Sequence, residues 1–372
     1  MSGNPLKALS ALGQSIWLDY IDREILVDGT LDRLIQEDGV SGLTSNPAIF
    51  QKAIARGGAY RDDIERLRAA GADRETLYER LVLADIGQAA DAFRALYEAT
   101  EGRDGYVSIE VSPLLARDTE ATITEARELW QRLDRPNIMI KVPGTREGIP
   151  AIRRLLAEGI NVNVTLLFSV GRYLDCLDAY ERALEDRRIA GLPLAPVASV
   201  ASFFLSRIDV KVDALLDAII AGDDPHRAAR ARELRGQTAI ACAAFAYRRF
   251  RERCHTGRWQ ALATAGARVQ RLLWASTGTK DPSYSDIKYV EPLIAPDTVN
   301  TLPPKTLDAY RDHGDPAVRI DAAIEAAPAV LHGLVELGIN LHEIDDQLEE
   351  EGIRKFVDPY QSLLETLAGM AD

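Results

Sequence analysis

Short apolar runs alternate with stretches of helical period along nearly the whole chain. "SIWLDY" (15–20) precedes "REILVDGTLDRLIQEDG", where apolar positions recur about every 3.6 residues. "VSGLTSN" (40–46) precedes a long helical region. "YVSIEVS" (106–112) leads into "EATITEARELWQRL", and "NIMIKVP" (137–143) into "EGIPAIRRLLAEG". "INVNVTLLF" (160–168) leads into "GRYLDCLDAYERALED", and "APVASVAS" (195–202) into "LSRIDVKVDALLDAIIAG". "RLLWAST" (271–277) and "DTVNTLP" (297–303) complete the set. Eight strands, each followed by helix, predict parallel βα units closed into a (β/α)8 TIM barrel. An open doubly wound sheet usually has fewer strands, and no GxGxxG follows the first run.

A plain barrel needs ~250 residues, and the chain has 372. The surplus falls in helical insertions after strand 2 (51–105) and strand 6 (222–268), and in helical sequence from Pro316 to the C-terminus. No Pro/Ser/Gly-type linker separates these regions, so residues 1–372 read as one domain. "EIDDQLEEEG" (343–352) reads as a solvated helix face.

Period two within the strands adds chemistry, because residues i and i+2 share a face. Ser108, Glu110 and Ser112 alternate with Ile109 and Val111; Asn161, Asn163 and Thr165 alternate with Val162, Val164 and Leu166. Lys141 shares a face with Met139, opposite Ile140 and Val142. The apolar sets fit contact with outer helices, which leaves the polar sets pointing into the barrel. An unpaired neutral polar group there costs about 1–3 kcal/mol, and a charge costs more. Lys141, Glu110, Thr165, Asp19, Asn46 and Ser276 all fall late in their runs, at the end where barrel active sites form.

Each of these residues has a plainer reading. Lys141 and Glu110 can be a buried salt bridge. Asn163 and Thr165 can be core hydrogen-bonders. Asp19 can cap the next helix, and Asn46 before Pro47 can be a turn former. Arg207 can pair with Asp209, and Lys280 can sit in a solvated loop. Six polar strand ends together favour a site.

Taking an ammonium group out of water favours the neutral amine, which attacks a carbonyl and forms a Schiff base. The iminium then draws electrons from a C–C bond two atoms away. Glu110 and Thr165 can manage protons through a water, and Asp19 can take a proton from a sugar hydroxyl. Arg207 in "SFFLSRID", with Ser276 and Lys280 in "ASTGTKD", supplies donors suited to a terminal phosphate.

Composition narrows the partners. The net charge is −13, which disfavours nucleic acid but leaves room for a local basic pocket. Three cysteines (Cys176, Cys242, Cys254) without CxxC spacing fit reduced thiols. The five histidines form no HxxxH pair, so no metal site and no cofactor are expected. "MSGNPLKALSALG" lacks a signal-peptide pattern, and no run approaches the ~18 apolar residues of a membrane span. A cytoplasmic protein without membrane contact is expected.

"WLDY", "GLTSNPAIF", "SIEVSP", "IMIKVPGT", "NVNVTLLFS", "SFFLSRID" and "WASTGTKDPSYSD" together resemble the transaldolases, in order and over nearly the whole chain. The length and the last motif look like the family's longer bacterial branch. The resemblance implies that Lys141 is the Schiff-base lysine and Asp19 the acid/base at the C4 hydroxyl. It implies that Glu110 and Thr165 hold the proton-shuttling water. Asn46 and Asn163 would hold the three-carbon unit, with Ser202 nearby, and Arg207 and Ser276 the phosphate. In the shorter branch an arginine is expected two residues after Ser276; here Gly278 stands there, with Lys280 the candidate replacement. The implied reaction moves dihydroxyacetone from sedoheptulose 7-phosphate to glyceraldehyde 3-phosphate, in a monomer or homodimer. A fructose 6-phosphate aldolase and a non-catalytic sugar-phosphate-binding barrel are the alternatives.

Overall fold

The computed structural model of the chain describes residues 4–56 and 58–369. The first three residues of the N-terminal stretch, Gly57 in the first insertion and the last three residues of the expected C-terminal helical region lie outside the described residues. All eight apolar runs are strands: β1 (Gln14–Leu18), β2 (Val40–Thr44), β3 (Tyr106–Glu110), β4 (Ile138–Pro143), β5 (Val162–Leu167), β6 (Ser199–Phe204), β7 (Arg271–Ala275) and β8 (Thr298–Leu302). They pair in parallel in chain order, and β8 closes on β1. The (β/α)8 barrel expected from the alternation is the observed fold.

Two boundaries differ from the expected pattern. β6 begins at Ser199 and runs to Phe204, rather than spanning 195–202. Pro196 has no N–H to give to a ladder, so the strand starts after it. The helical stretch after β1 is two helices, Arg23–Val27 and Thr30–Asp38. Gly29 lies between them at φ +80°, a left-handed conformation that ends the first helix.

Inside the barrel Ser108, Lys141, Asn163 and Thr165 point inward, as the alternation predicts; Ser112, beyond the end of β3, instead meets Tyr360 and Glu125 of the outer helices. The floor is filled by Trp17 of β1, which packs where Gly42 of β2 has no side chain; a Cβ there would lie 2.5 Å from the indole. Below it Arg271 donates to Ser15 Oγ at 2.7 Å and pairs with Asp104 at 3.1 Å. These contacts plug the N-terminal end and leave the C-terminal end open for a site.

The surplus length is helical, as expected. Helices Pro47–Ala55, Arg61–Ala69 and Arg74–Ala99 follow β2. After helix Ser206–Ile220, three more (Pro225–Leu234, Thr238–Cys254, Gly257–Thr264) follow β6. The last described helices are Ile320–Glu336 and Leu341–Gly369. The last helix crosses the mouth of the barrel, and its Gly352 lets it approach Leu166 and Phe168 closely: a Cβ would meet them at 3.0 and 3.3 Å.

The acidic run 343–352 is therefore more than a solvated face. Ile344, Leu348 and Gly352 are buried. Glu349 pairs with Arg117 at 2.8 Å and Arg172 at 3.5 Å, and Glu351 pairs with Lys211 at 2.7 Å. Basic residues far away in sequence turn these acids into a latch across the barrel. No single helix among the described residues is long and apolar enough to cross a membrane.

Candidate active site

Register sets the first row of the site. Glu110 of β3 lies beside Lys141 of β4, and Lys141 beside Asn163 of β5. Lys141 is 5% exposed. Its Nζ donates to the Ser45 carbonyl at 2.9 Å and stands 3.5 Å from Glu110 Oε2. At that separation the two groups are within ion-pair distance but hold no short hydrogen bond, so the carboxyl leaves the amine a free direction of approach. The salt-bridge reading of Lys141 and Glu110 is thus realised, inside a cavity.

That cavity is small, about 80 Å³, and lies at the C-terminal ends of the strands. Lys141, Asp19, Asn46, Thr165, Ser202, Arg207 and Ser276 all line it. Glu110 borders it through Lys141. Asn163 lies beneath, donating from Nδ2 to Ser108 Oγ at 3.0 Å and accepting from Ser202 Oγ at 2.6 Å. This is the core hydrogen-bonding role, and it fixes Ser202 in the cavity wall. Thr165 Oγ1 is buried with no protein partner, so its hydroxyl is available to a bound molecule.

Asp19 follows the last residue of β1, and its N–H donates to Leu302 O at 2.8 Å. It does not cap the next helix; Asp22 does, accepting from Ile25 N at 3.0 Å. Asp19 Oδ1 instead accepts from the Thr44 hydroxyl at 2.8 Å, and Thr44 also bonds Thr301 at 2.7 Å. Burial pushes the Asp19 carboxyl above its usual range, against the opposing pull of Lys141, the Thr44 hydrogen bond, Arg207 and Lys280. Burial likewise raises Glu110, opposed by Lys141 and Arg207 and reinforced by Asp19. Two carboxyls with raised pKa values around one amine are placed to exchange protons with a substrate.

Asn46 caps helix Pro47–Ala55, accepting from Ile49 N at 3.1 Å through Oδ1. The cap fixes Oδ1 toward the helix and frees Nδ2 for the cavity. This is a helix start rather than a mere turn.

Arg207 stands near the start of helix Ser206–Ile220. It does not pair with Asp209, which accepts from Tyr289 OH at 2.8 Å and pairs with Lys288 at 3.1 Å. The guanidinium packs 5.1 Å from the Phe204 ring and 5.5 Å from that of Phe356, with Nη1 buried and unpartnered. Burial lowers its pKa, offset by Glu110 and Asp19. Ser276, at φ +54°, meets the Ser206 hydroxyl at 2.9 Å. Leu166 at the end of β5 also has positive φ, +58°. Such backbone strain in non-glycine residues is common at functional sites.

Lys280 does not line the cavity. Its residue is exposed, as the loop reading expected. Its pKa is nevertheless held down, by partial desolvation first and then by Arg207, Lys52 and Lys355, against Asp19. Lys52 and Lys355 were not singled out from the sequence. Together with Arg207 they make the mouth cationic on a chain of net charge −13.

The second insertion positions the loop that bears Ser276 and Lys280. Arg235 donates to Asp217 at 2.8 Å, to Asp281 at 2.8 Å and to Tyr284 OH at 2.8 Å. Tyr284 OH in turn donates to Asp213 at 2.8 Å. The motif "KDPSYSD" is held as a unit by these bonds.

A closed parallel barrel that gathers an amine, two carboxyls, hydroxyls and a guanidinium at its C-terminal mouth has the make-up of a lysine-dependent enzyme handling carbonyl sugars. The chain belongs to the transaldolase/fructose-6-phosphate aldolase family, whose model matches residues 16–367. It is 49% identical to transaldolase 2 of Nostoc sp., over 99% of this chain and 98% of that one. It is 48% identical to the transaldolase of Thiobacillus denitrificans, over 97% and 99%, and 48% identical to that of Thermobifida fusca, over 98% of each.

Proposed function

We propose that the chain catalyses the transaldolase reaction, as one catalytic domain, through a Schiff base on Lys141. The observation that carries this reading is the placement of Lys141 Nζ, 3.5 Å from Glu110, in a cavity that also holds Asp19 and Arg207. The amine adds to the ketose carbonyl. Glu110 protonates the departing hydroxyl through a water at Thr165, and the iminium forms. Asp19 takes the proton of the C4 hydroxyl, the C3–C4 bond breaks, and the aldose phosphate leaves. The enamine of dihydroxyacetone stays on Lys141 until an acceptor aldehyde arrives, and the steps reverse.

Asn46 Nδ2 and the Ser202 hydroxyl contact the three-carbon unit, with Asn163 bracing Ser202. Arg207, Ser276 and Lys280 take the terminal phosphate. The donor is sedoheptulose 7-phosphate and the acceptor glyceraldehyde 3-phosphate, in the cytoplasm. All of these groups come from one chain, which fits a monomer or a homodimer with separate sites.

The test is borohydride reduction in the presence of fructose 6-phosphate, followed by peptide mass mapping. A three-carbon or six-carbon adduct on Lys141 is expected, and none in Lys141→Ala. An adduct on another lysine overturns the assignment. Free dihydroxyacetone as the main product, with an aldehyde acceptor present, would favour an aldolase instead.

A further inference from the structure

The end of β2 holds both the amine and the base of the site. Thr44 Oγ1 donates to Asp19 Oδ1 at 2.8 Å. The carbonyl of the next residue, Ser45, accepts from Lys141 Nζ at 2.9 Å. The Ser45 hydroxyl donates to the Ser108 carbonyl at 2.8 Å, which pins this stretch of chain to β3. Asp19 is thus tied to one residue and Lys141 to its neighbour. Among the described residues Thr44 is the only hydrogen-bond partner of the Asp19 side chain, and it takes Oδ1. Asp19 lines the cavity, so Oδ2 is left for a bound molecule.

The Thr44 hydroxyl has one proton and two neighbours. Thr301 Oγ1 of β8 lies 2.7 Å from it. Asp19 acts as a base only when ionised, and an ionised carboxylate only accepts. Thr44 then gives its proton to Asp19, and Thr301 must donate to Thr44. Both threonines are buried and line the cavity. The backbone holds the same corner: Asp19 N–H donates to the Leu302 carbonyl at 2.8 Å. The Thr277 hydroxyl donates to the Thr301 carbonyl at 2.8 Å. Thr277 follows Ser276, so the residue that starts the hydroxyl chain also anchors the phosphate-facing turn. Burial opposes the ionised form of Asp19; Lys141, the Thr44 bond, Arg207 and Lys280 favour it.

We propose that Thr44, its proton directed by Thr301, is the positioning residue for Asp19: it holds Oδ1 so that Oδ2 meets the C4 hydroxyl of the donor. The inference rests on the Schiff-base reading. In the step concerned the O–H bond at C4 breaks and its proton goes to Oδ2. The oxygen pair closes the C4 carbonyl, and the C3–C4 bond breaks. Its electrons form the C2–C3 double bond of the enamine, and the iminium π pair returns to nitrogen. Schiff-base formation comes earlier and uses Glu110 and Thr165, on β3 and β5. Thr44 therefore bears on bond cleavage and not on capture of the ketose.

The experiment reduces each variant with borohydride in fructose 6-phosphate and weighs the Lys141 peptide. A six-carbon adduct is uncleaved donor, and a three-carbon adduct is cleaved donor. Thr44→Val keeps the shape and removes the hydroxyl. Its kcat should fall about 10- to 100-fold, the loss that a small misplacement of a reacting group produces. The ratio of six-carbon to three-carbon adduct should rise while the total adduct stays. Thr44→Ser should restore both rate and ratio. Thr44→Val with Thr301→Val should be no slower than Thr44→Val alone, because the two hydroxyls act as one chain. It should melt nearer to wild type, because no threonine hydroxyl is left unpaired. A folded Thr44→Val with the wild-type rate or the wild-type adduct ratio overturns the proposal. So does a Thr44→Ser protein as slow as Thr44→Val, and a further loss of rate in the double variant overturns the role of Thr301. If wild type gives no adduct on Lys141, it is the Schiff-base reading that has failed.

Discussion

The ring of Phe356 stands with its centroid 5.8 Å from Lys141 Nζ. The lysine belongs to β4 and the phenylalanine to the last helix, so the end of the chain covers the reactive amine. The same ring lies 5.5 Å from the Arg207 guanidinium carbon. One apolar side chain therefore roofs both the Schiff-base position and the phosphate-facing cation, and excludes water from both.

Removing that roof should uncouple transfer from protonation of the enamine. Phe356→Ala is expected to lower kcat about tenfold and to raise the share of donor released as free dihydroxyacetone. Phe356→Leu should recover most of both. The side chain is 4% exposed, so the alanine variant also loses about 3–5 kcal/mol of stability. Product ratios measured below its melting temperature separate the two effects. An unchanged ratio means that the helix is packing and not a cap.

The buried carboxyls set activity against stability. A carboxyl whose pKa is raised by folding holds a proton that the unfolded chain releases. Stability then falls as pH rises from the ordinary carboxylate range through the folded value. Asp19 and Glu110 are both of this kind. Asp19→Asn retains an acceptor for the Thr44 hydroxyl and should raise the melting temperature at pH 8, by roughly 2 °C for each kcal/mol gained. It should lower kcat by about 10²–10⁴. Glu110→Gln should stabilise less, because it leaves the Lys141 ammonium without its carboxylate. Scanning calorimetry and steady-state rates on the two variants decide this, and an Asp19→Asn protein less stable than wild type would sink it.

Cations at the mouth should divide by burial. Arg207 is largely enclosed, and a charged hydrogen bond from it to a phosphate is worth about 1.5–3 kcal/mol. Arg207→Ala should therefore raise KM for fructose 6-phosphate about 10- to 100-fold, with a much smaller effect on unphosphorylated fructose. Lys52 and Lys355 are exposed, and a rim charge acts mainly through screened attraction. Lys52→Ala and Lys355→Ala should each change kcat/KM by about 2- to 5-fold at low salt and by little at 0.5 M salt. Equal effects of Arg207→Ala on the phosphorylated and unphosphorylated sugars would remove the phosphate assignment.

Local sequence carried the barrel and the row Glu110, Lys141, Asn163, because period-two alternation in "SIEVS", "IMIKV" and "NVNVT" survives into the fold. It could not carry Phe356. "IRKFVDPY" reads as an ordinary amphipathic helix, and only its path across the barrel brings the ring to the amine. Glu349 and Glu351 look like solvated charge for the same reason: Arg117, Arg172 and Lys211, which turn them inward, come from other parts of the chain. Thr44 was legible in principle, as the inward neighbour of Asn46 in "LTSN", but its bond to Asp19 depends on how β1 and β2 are staggered. That stagger is irregular between Ile16 and Leu18. Asp19 as a helix cap failed on spacing alone, since Asp22 stands nearer the first helical turn.

Asp345, on the latch itself, should make the closed helix sensitive to pH. It lines a cavity of about 390 Å³ beside Phe168, Ser169 and Arg172. The Ser169 hydroxyl bonds its carboxyl and also accepts from Arg172 N at 3.2 Å, capping helix Val170–Ile189. Burial and the neighbouring Asp346 push Asp345 up to about 7, against the Ser169 bond and Arg172. The folded value is raised, so stability is lost as pH climbs from about 4, where the unfolded carboxyl ionises, to about 7, and is level above that. Asp345→Asn removes the ionisation. It should match wild type near pH 4.5 and melt at a higher temperature at pH 8, with the gain growing across the interval between. Melting curves taken at half-unit steps test this. A gain that is the same at both ends, or that is larger at acid pH, would show that this carboxyl is not the group that titrates.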